Sequence, residues 1–210
     1  MHFDLLNEIL LIFSKTNPEP KIELNFSSSF ELLIAVILSA RSTDRMVNKV
    51  TKRLYSVANT PSSILSIGTQ GLKNYIKTLG LFNKKSSNII RTCDILLNRY
   101  NGKVPNSFID LRSLPGVGRK TANVVLNCIF QKKTIAVDTH VFRVCNRMGF
   151  IQETTKIKTE KKLLNIIPEA FKLHFHNWLV LHGRYVCTSK RPKCSICLIK
   201  HLCQFEYKNI

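Results

Sequence analysis

At 210 residues with 44% hydrophobic side chains, the chain has enough apolar material for one large domain or two small ones, which excludes wholesale disorder. Thirty-two Lys and Arg against thirteen Asp and Glu leave a formal charge of +19. That excess points to a polyanionic partner, nucleic acid before acidic membrane, although a low-GC genome would also raise the lysine content. In chain order, the first apolar stretch, Ile9 to Phe13, follows Asp4 and Glu8 and has neither a basic start nor a small-residue cleavage site, so it is not a signal peptide. Leu6, Ile9, Leu10 and Phe13 recur at helical spacing instead. Ser28 with Glu31 forms a capping box ahead of Phe30 to Ala40, which is apolar nearly all round and predicts a central buried helix far shorter than the ~18 residues of a membrane span. Thr60-Pro61 and Asn83 mark further helix starts. Ile89, Ile90, Cys93, Leu96, Leu97 and Tyr100 predict a long helix that Asn101-Gly102 and Pro105 bring to an end.

Ser107 to Ser113 predicts a short helix, Leu114 to Gly118 a tight turn, and Arg119 to Phe130 a second helix with Ala122, Val125, Leu126 and Ile129 on one face. This is a helix-hairpin-helix, at about residues 107–130. Gly116 and Gly118 permit positive φ and leave no side chain in the way, so the backbone N–H groups around Val117 and Arg119 can approach a phosphate closely, whatever the base sequence. Lys120 sits in the first turn of the second helix, where the helix dipole and Arg119 both disfavour an ammonium. An amine must be neutral to attack carbon, but spacing alone reads Lys120 first as a phosphate contact.

Thr134 to Val137 is the one strand-like piece, too short and isolated to imply a sheet. Asp138 follows it and precedes a helix carrying Val141, Cys145 and Met148; position alone favours an N-cap over the functional role of accepting a proton or stabilising positive charge, though both can coexist. After Pro168, Phe171, Phe175, Trp178, Leu179 and His182 predict a helix running towards Gly183. His174, His176 and His182 read as helix-surface or core residues. The fold class is all-α, and with no linker or repeat any division into two domains has to be compact and can be discontinuous in sequence.

Seven cysteines without a secretion signal do not suggest a disulfide framework. Cys93, Cys128 and Cys145 fall on apolar helix faces. Cys187, Cys194, Cys197 and Cys203 form a Cys-x6-Cys-x2-Cys-x5-Cys cluster, a closed tetrathiolate site for zinc or an iron–sulfur cluster. Lys190, Arg191 and Lys193 occupy the loop between its first two members, where a metal-anchored loop would hold three charges ready for phosphate.

Leu114-Pro115-Gly116-Val117-Gly118-Arg119-Lys120-Thr121-Ala122, Val137-Asp138-Thr139-His140 and the cysteine tail together resemble the bacterial endonuclease III family. Glu23 to Phe26, Tyr75 to Lys77 and Trp178 to Tyr185 extend the likeness over the whole chain. The resemblance implies a six-helix domain over 22–132 and a discontinuous helical domain over 1–21 plus 133–210 that carries the four cysteines around one 4Fe-4S cluster. It implies a bifunctional DNA glycosylase that releases oxidised pyrimidines from double-stranded DNA and cleaves abasic sites on the 3′ side by β-elimination. Lys120 matches the family's nucleophile and Asp138 its essential carboxylate, on opposite walls of a cleft. Leu81, after Gly80, matches an apolar residue pushed into the helical stack, against its plainer reading as a core leucine. Arg41 stands where the family commonly carries glutamine, which leaves the opposite-base preference open. His140 joins the expected DNA contacts. The resemblance further implies a monomer of the bacterial cytoplasm, associated with the nucleoid and with no membrane.

Two rivals are weighed against this reading. A monofunctional relative such as the mismatch adenine glycosylase would share hairpin, aspartate and cluster but not Lys120. A non-catalytic DNA-binding module would use hairpin and basic loop for phosphate alone.

Overall fold

The computed structural model describes residues 3–209. Met1, His2 and Ile210, which the resemblance assigns to the cluster-bearing domain, lie outside the described residues. In chain order the helices are α1 Phe3–Thr16, α2 Ser29–Leu38, α3 Asp44–Tyr55, α4 Pro61–Ile76, α5 Phe82–Tyr100, α6 Phe108–Ser113, α7 Arg119–Phe130, α8 Thr139–Met148, α9 Lys156–Ile166 and α10 Lys172–Tyr185, followed by a 3-10 turn at Cys194–Ile196. No strand occurs among the described residues, and the fold is all-α. Thr134 to Val137 is extended without being a strand. Its Ile135, Ala136 and Val137 are buried, so β-branched propensity reports a buried extended backbone here rather than sheet pairing.

The chain divides into two compact units, Glu23–Gln131 and Met1–Ile22 with Lys132–Ile210. In the first, α2 is the centre, with every residue from Phe30 to Leu38 buried. Ser28 caps it by accepting from the Glu31 N–H, while the Glu31 carboxylate returns to the N–H of Ser27, one residue upstream of a standard box. The Tyr55 hydroxyl donates to the Glu31 carbonyl at 2.7 Å, fastening α3 to α2. Thr60 caps α4 in a capping box with Ser63, with Pro61 at its first position. α4 packs along α5, and α2 packs on α3, α5 and α7. The single-face pattern expected for α7 is replaced by burial all round from Thr121 to Asn127. Enclosure by α2 and α6 explains the two buried asparagines that a one-face reading leaves on the surface.

In the second unit, Leu6, Ile9 and Leu10 of α1 join Ile135, Val137, Val141, Val144, Leu163, Phe175, Trp178 and Leu179 in one core. Each fully buried aliphatic side chain of this kind contributes about 1.5–3 kcal/mol. The Trp178 indole donates to the Asn17 carbonyl at 2.7 Å and Asn177 to the Pro20 carbonyl at 3.0 Å, so the segment after α1 is fastened to α10. α10 does not stop at Gly183 but runs on to Tyr185. A Cβ at Gly183 would lie 2.9 Å from His140 Cβ and 3.2 Å from Val144 Cγ2. The glycine therefore marks the close crossing of α8 and α10, not a helix end.

Candidate functional site

In the unit Glu23–Gln131, Ser107 caps α6 by accepting from the Asp110 N–H at 3.2 Å. Leu114 and Val117 are buried and anchor the turn, whose Val117 N–H donates to the Leu114 carbonyl at 3.1 Å. Val117 thus offers no exposed side chain. Gly116 has φ +83°, and a Cβ there would meet Asn88 at 3.1 Å and Ile37 Cγ2 at 3.4 Å. The turn is seated tightly on α5 and α2, and the Thr92 hydroxyl holds it further through the Pro115 carbonyl at 2.9 Å. Gly118 differs from the sequence expectation: its φ is −84°, so no left-handed backbone calls for glycine there. A Cβ on Gly118 would touch nothing within 4 Å. Its missing side chain matters only to something that approaches from outside.

α7 begins on Gly118 with no side-chain cap. Arg119 lays its guanidinium over the Phe108 ring at 5.2 Å, a cation–π contact that ties the two helices of the hairpin together. Lys120 is the second residue of α7 and is half-buried. Burial pushes the Cys128 thiol up to about 11, and the Lys120 charge opposes that rise.

Arg41 and Leu81 belong to the same unit. Arg41 has φ +54° and Leu81 φ +59°, in the left-handed region that is uncommon for such side chains. Leu81 is 50% exposed, so it is not a core leucine. It also starts α5 with a left-handed N-cap and no side-chain cap, whereas Ser28, Thr43, Thr60, Ser107, Asp138 and Thr155 are all extended N-caps. Arg41 is exposed, and a Cβ at Gly80 would lie 3.3 Å from the Arg41 carbonyl. The two turns therefore touch.

The other unit holds Asp138. Its Oδ1 accepts from the N–H groups of His140 at 2.8 Å and Val141 at 2.9 Å, capping α8. The extended segment before it is held by buried His176, whose Nδ1 lies 2.7 Å from the Ala136 carbonyl. His140 sits in the first turn of α8 with Nδ1 3.4 Å from Arg143. Sequence reasoning passed over Arg143 and Arg147. Arg143 donates to the carbonyls of Gly183 at 2.8 Å and Cys187 at 3.0 Å, and Arg147 to those of Thr188 at 2.7 Å and Ser189 at 2.8 Å. Burial lowers the pKa of Arg143, which the charges of Cys187 and Asp138 oppose and that of Arg147 reinforces. Their spacing of four on α8 was the available signal, since it puts both guanidinium groups on one helix face.

The four tail cysteines line one pocket together with Met148, Val186, Pro192, Ile199 and Phe205. Arg147 Nη1 lies 3.5 Å from the Cys187 sulfur, and His182 Nε2 3.9 Å from that of Cys197. Burial raises the pKa of Cys197 and of Cys203, and the charges of the neighbouring thiols raise both further. A bound cation would offset that rise for these two thiols. No three His, Cys, Asp or Glu side chains among the described residues are grouped to hold a metal ion. Lys190, Arg191 and Lys193 are exposed on a loop held by Arg147 and by the Lys193 N–H to the Val186 carbonyl at 2.9 Å. Cys93 and Cys145 are fully buried, but Cys128 only partly.

A family model described as the HhH-GPD superfamily of base excision DNA repair proteins matches residues 34–169. Endonuclease III of Buchnera aphidicola subsp. Baizongia pistaciae (strain Bp) is 64% identical over 97% of this chain and 94% of its own length. The Escherichia coli (strain K12) endonuclease III is 56% identical over 96% of this chain and 95% of its own. The chain belongs to the endonuclease III family. Among solved structures, a trapped endonuclease III–DNA covalent intermediate matches with a TM-score of 0.91 and 41% identity, covering 97% of this chain and 96% of that one. A thermostable thymine-DNA glycosylase, at 24% identity and TM-score 0.83, shares the fold. As a member of this family the protein is a base excision DNA repair enzyme, a DNA glycosylase with abasic-site lyase activity. No helix among the described residues is long and apolar enough to cross a membrane.

Proposed function

We propose that the protein releases oxidised pyrimidines from double-stranded DNA and cleaves the resulting abasic site with Lys120 as nucleophile. The observation that carries this reading is the start of α7, where a half-buried lysine follows an uncapped glycine that is open on the outside. The neutral amine attacks C1′ of the extruded nucleotide, the C1′–N bond breaks, and the base leaves with the electron pair and takes up a proton. The amine gives up a proton, the C1′–O4′ bond of the sugar breaks with O4′ taking up a proton, and the protonated Schiff base forms at C1′. Loss of a C2′ proton then expels the 3′ phosphate, and water releases Lys120 from the cleaved strand.

Asp138 stabilises positive charge at the sugar and accepts a proton while capping α8. The backbone around Gly116, Gly118 and Arg119 takes phosphate, the Val117 N–H being held by the Leu114 carbonyl, with Lys190, Arg191 and Lys193 as exposed cations and His140 as a further contact. Leu81 and Arg41 occupy the gap that the nucleotide leaves in the stack. The enzyme works as a monomer in the bacterial cytoplasm, where the nucleoid supplies its substrate.

Cys187, Cys194, Cys197 and Cys203 hold one 4Fe-4S cluster. Their chemistry fits it: four thiols line one pocket, and burial raises the pKa of two of them, Cys197 and Cys203, which a bound cation would offset. When bound, the cluster supplies structural cross-linking of the basic loop. The test is borohydride trapping on abasic duplex DNA, with a covalent adduct expected from the native protein and none from Lys120→Ala. Native protein that contains iron and cleaves DNA but forms no adduct would overturn the lysine mechanism. Purified protein is expected to be brown with about four irons per chain, and stoichiometric zinc in their place would contradict the cluster.

A further inference from the structure

Lys85 is 4% exposed, on the first turn of α5, in a chain whose other lysines sit mostly at the surface. Its amine donates to the Ser42 hydroxyl at 3.0 Å, and its backbone N–H donates to the Leu81 carbonyl at 3.0 Å. One residue thus grips the neighbour of Arg41 with its side chain and Leu81 itself with its backbone. Both gripped turns are left-handed at an exposed side chain, and Gly80 brings them together at the Arg41 carbonyl.

We propose that Lys85 is a positioning residue that locks the Arg41 turn and the Leu81 turn into one rigid unit for filling the gap in duplex DNA left by an extruded nucleotide. The inference rests on the proposed function above. Left-handed backbone at a non-glycine residue persists only where its surroundings over-determine it. Leu81 has no side-chain cap to do so, and the tether through Lys85 and Ser42 supplies the constraint. A buried amine carries a desolvation cost that a methionine of similar length would avoid, and burial accordingly lowers the pKa of Lys85. Packing alone therefore does not account for a lysine here. Its amine contributes a directional bond to the turn that presents Arg41.

The test compares two substrates of equal length: duplex DNA with one oxidised pyrimidine, and a single-stranded oligonucleotide with one abasic site, which has no stacked gap to fill. For Lys85→Met and for Ser42→Ala, kcat/KM on the duplex should fall about tenfold or more, the scale of one lost charge-assisted hydrogen bond, while cleavage of the single strand changes less than about twofold. Leu81→Ala should give the same split. Ser42→Ala removes only a hydroxyl, so it carries the test if Lys85→Met folds poorly. Equal losses on both substrates would mean a general structural role and overturn the proposal, as would unchanged activity on the duplex. Native protein inactive on both substrates would overturn the proposed function, and the Lys85 role with it.

Discussion

The helices α7 and α8 both begin with an extended cap, yet the two starts are built in opposite ways. α7 opens on Gly118, which has no side chain to give, and its first residues are Arg119 and Lys120. α8 opens on Asp138, whose Oδ1 takes the N–H groups of both His140 and Val141. A capped start is satisfied from within the fold. A start with two cations and no side-chain cap gives up stability that an anion from outside can restore. The comparison separates Asp138, which caps α8 and to which we also assign a chemical role, from Lys120, whose proposed role is chemical alone.

Substitution at Asp138 separates its cap from its proposed chemical role and should have the largest effect. Asp138→Asn keeps an acceptor for the α8 cap, so its thermal midpoint should stay near that of the native protein while glycosylase activity falls about a hundredfold or more. Asp138→Ala should lose the same activity and in addition about 1 kcal/mol of stability. Activity that tracks the unfolding midpoint across both variants would reduce Asp138 to a cap. Neutralising Lys190, Arg191 and Lys193 together comes next. If all three meet phosphate, the slope of log affinity against log salt should flatten by about 2–3 units, measured by titration of fluorescent duplex. An unchanged slope would take the loop off the binding face.

The glycine pair gives the smallest and sharpest contrast. Gly116→Ala should destabilise the fold by about 1 kcal/mol, because its φ is positive and Asn88 lies 3.1 Å from the new Cβ. Gly118→Ala has open space and an ordinary φ, so the unfolding curve should not move while DNA affinity drops. Equal stability losses in the two variants would mean that Gly118 also serves the turn.

Local rules reached far along this chain. The caps at Ser28 and Asp138 and the helix entry at Thr60 were legible because each depends on residues within a few positions, as was the α5 stop at Asn101, whose φ is +51°. What was not legible depends on distant neighbours. Lys85 looks like a surface lysine until Ser42 is placed beside it, and Gly183 looks like a helix stop until α8 crosses it. Arg143 and Arg147 gain their meaning only from the carbonyls of residues about forty positions on. Thr134 to Val137 reads as strand-like because its composition suits an extended, buried backbone, and composition does not say whether a pairing strand exists.

The most direct measurement of the central claim is peptide mapping of the reduced protein–DNA adduct. After borohydride trapping on abasic duplex and proteolysis, the nucleotide remnant should be found on Lys120 and on no other amine. A remnant on Lys85, on another lysine or on the N-terminal amine would contradict the assignment of the nucleophile to the start of α7.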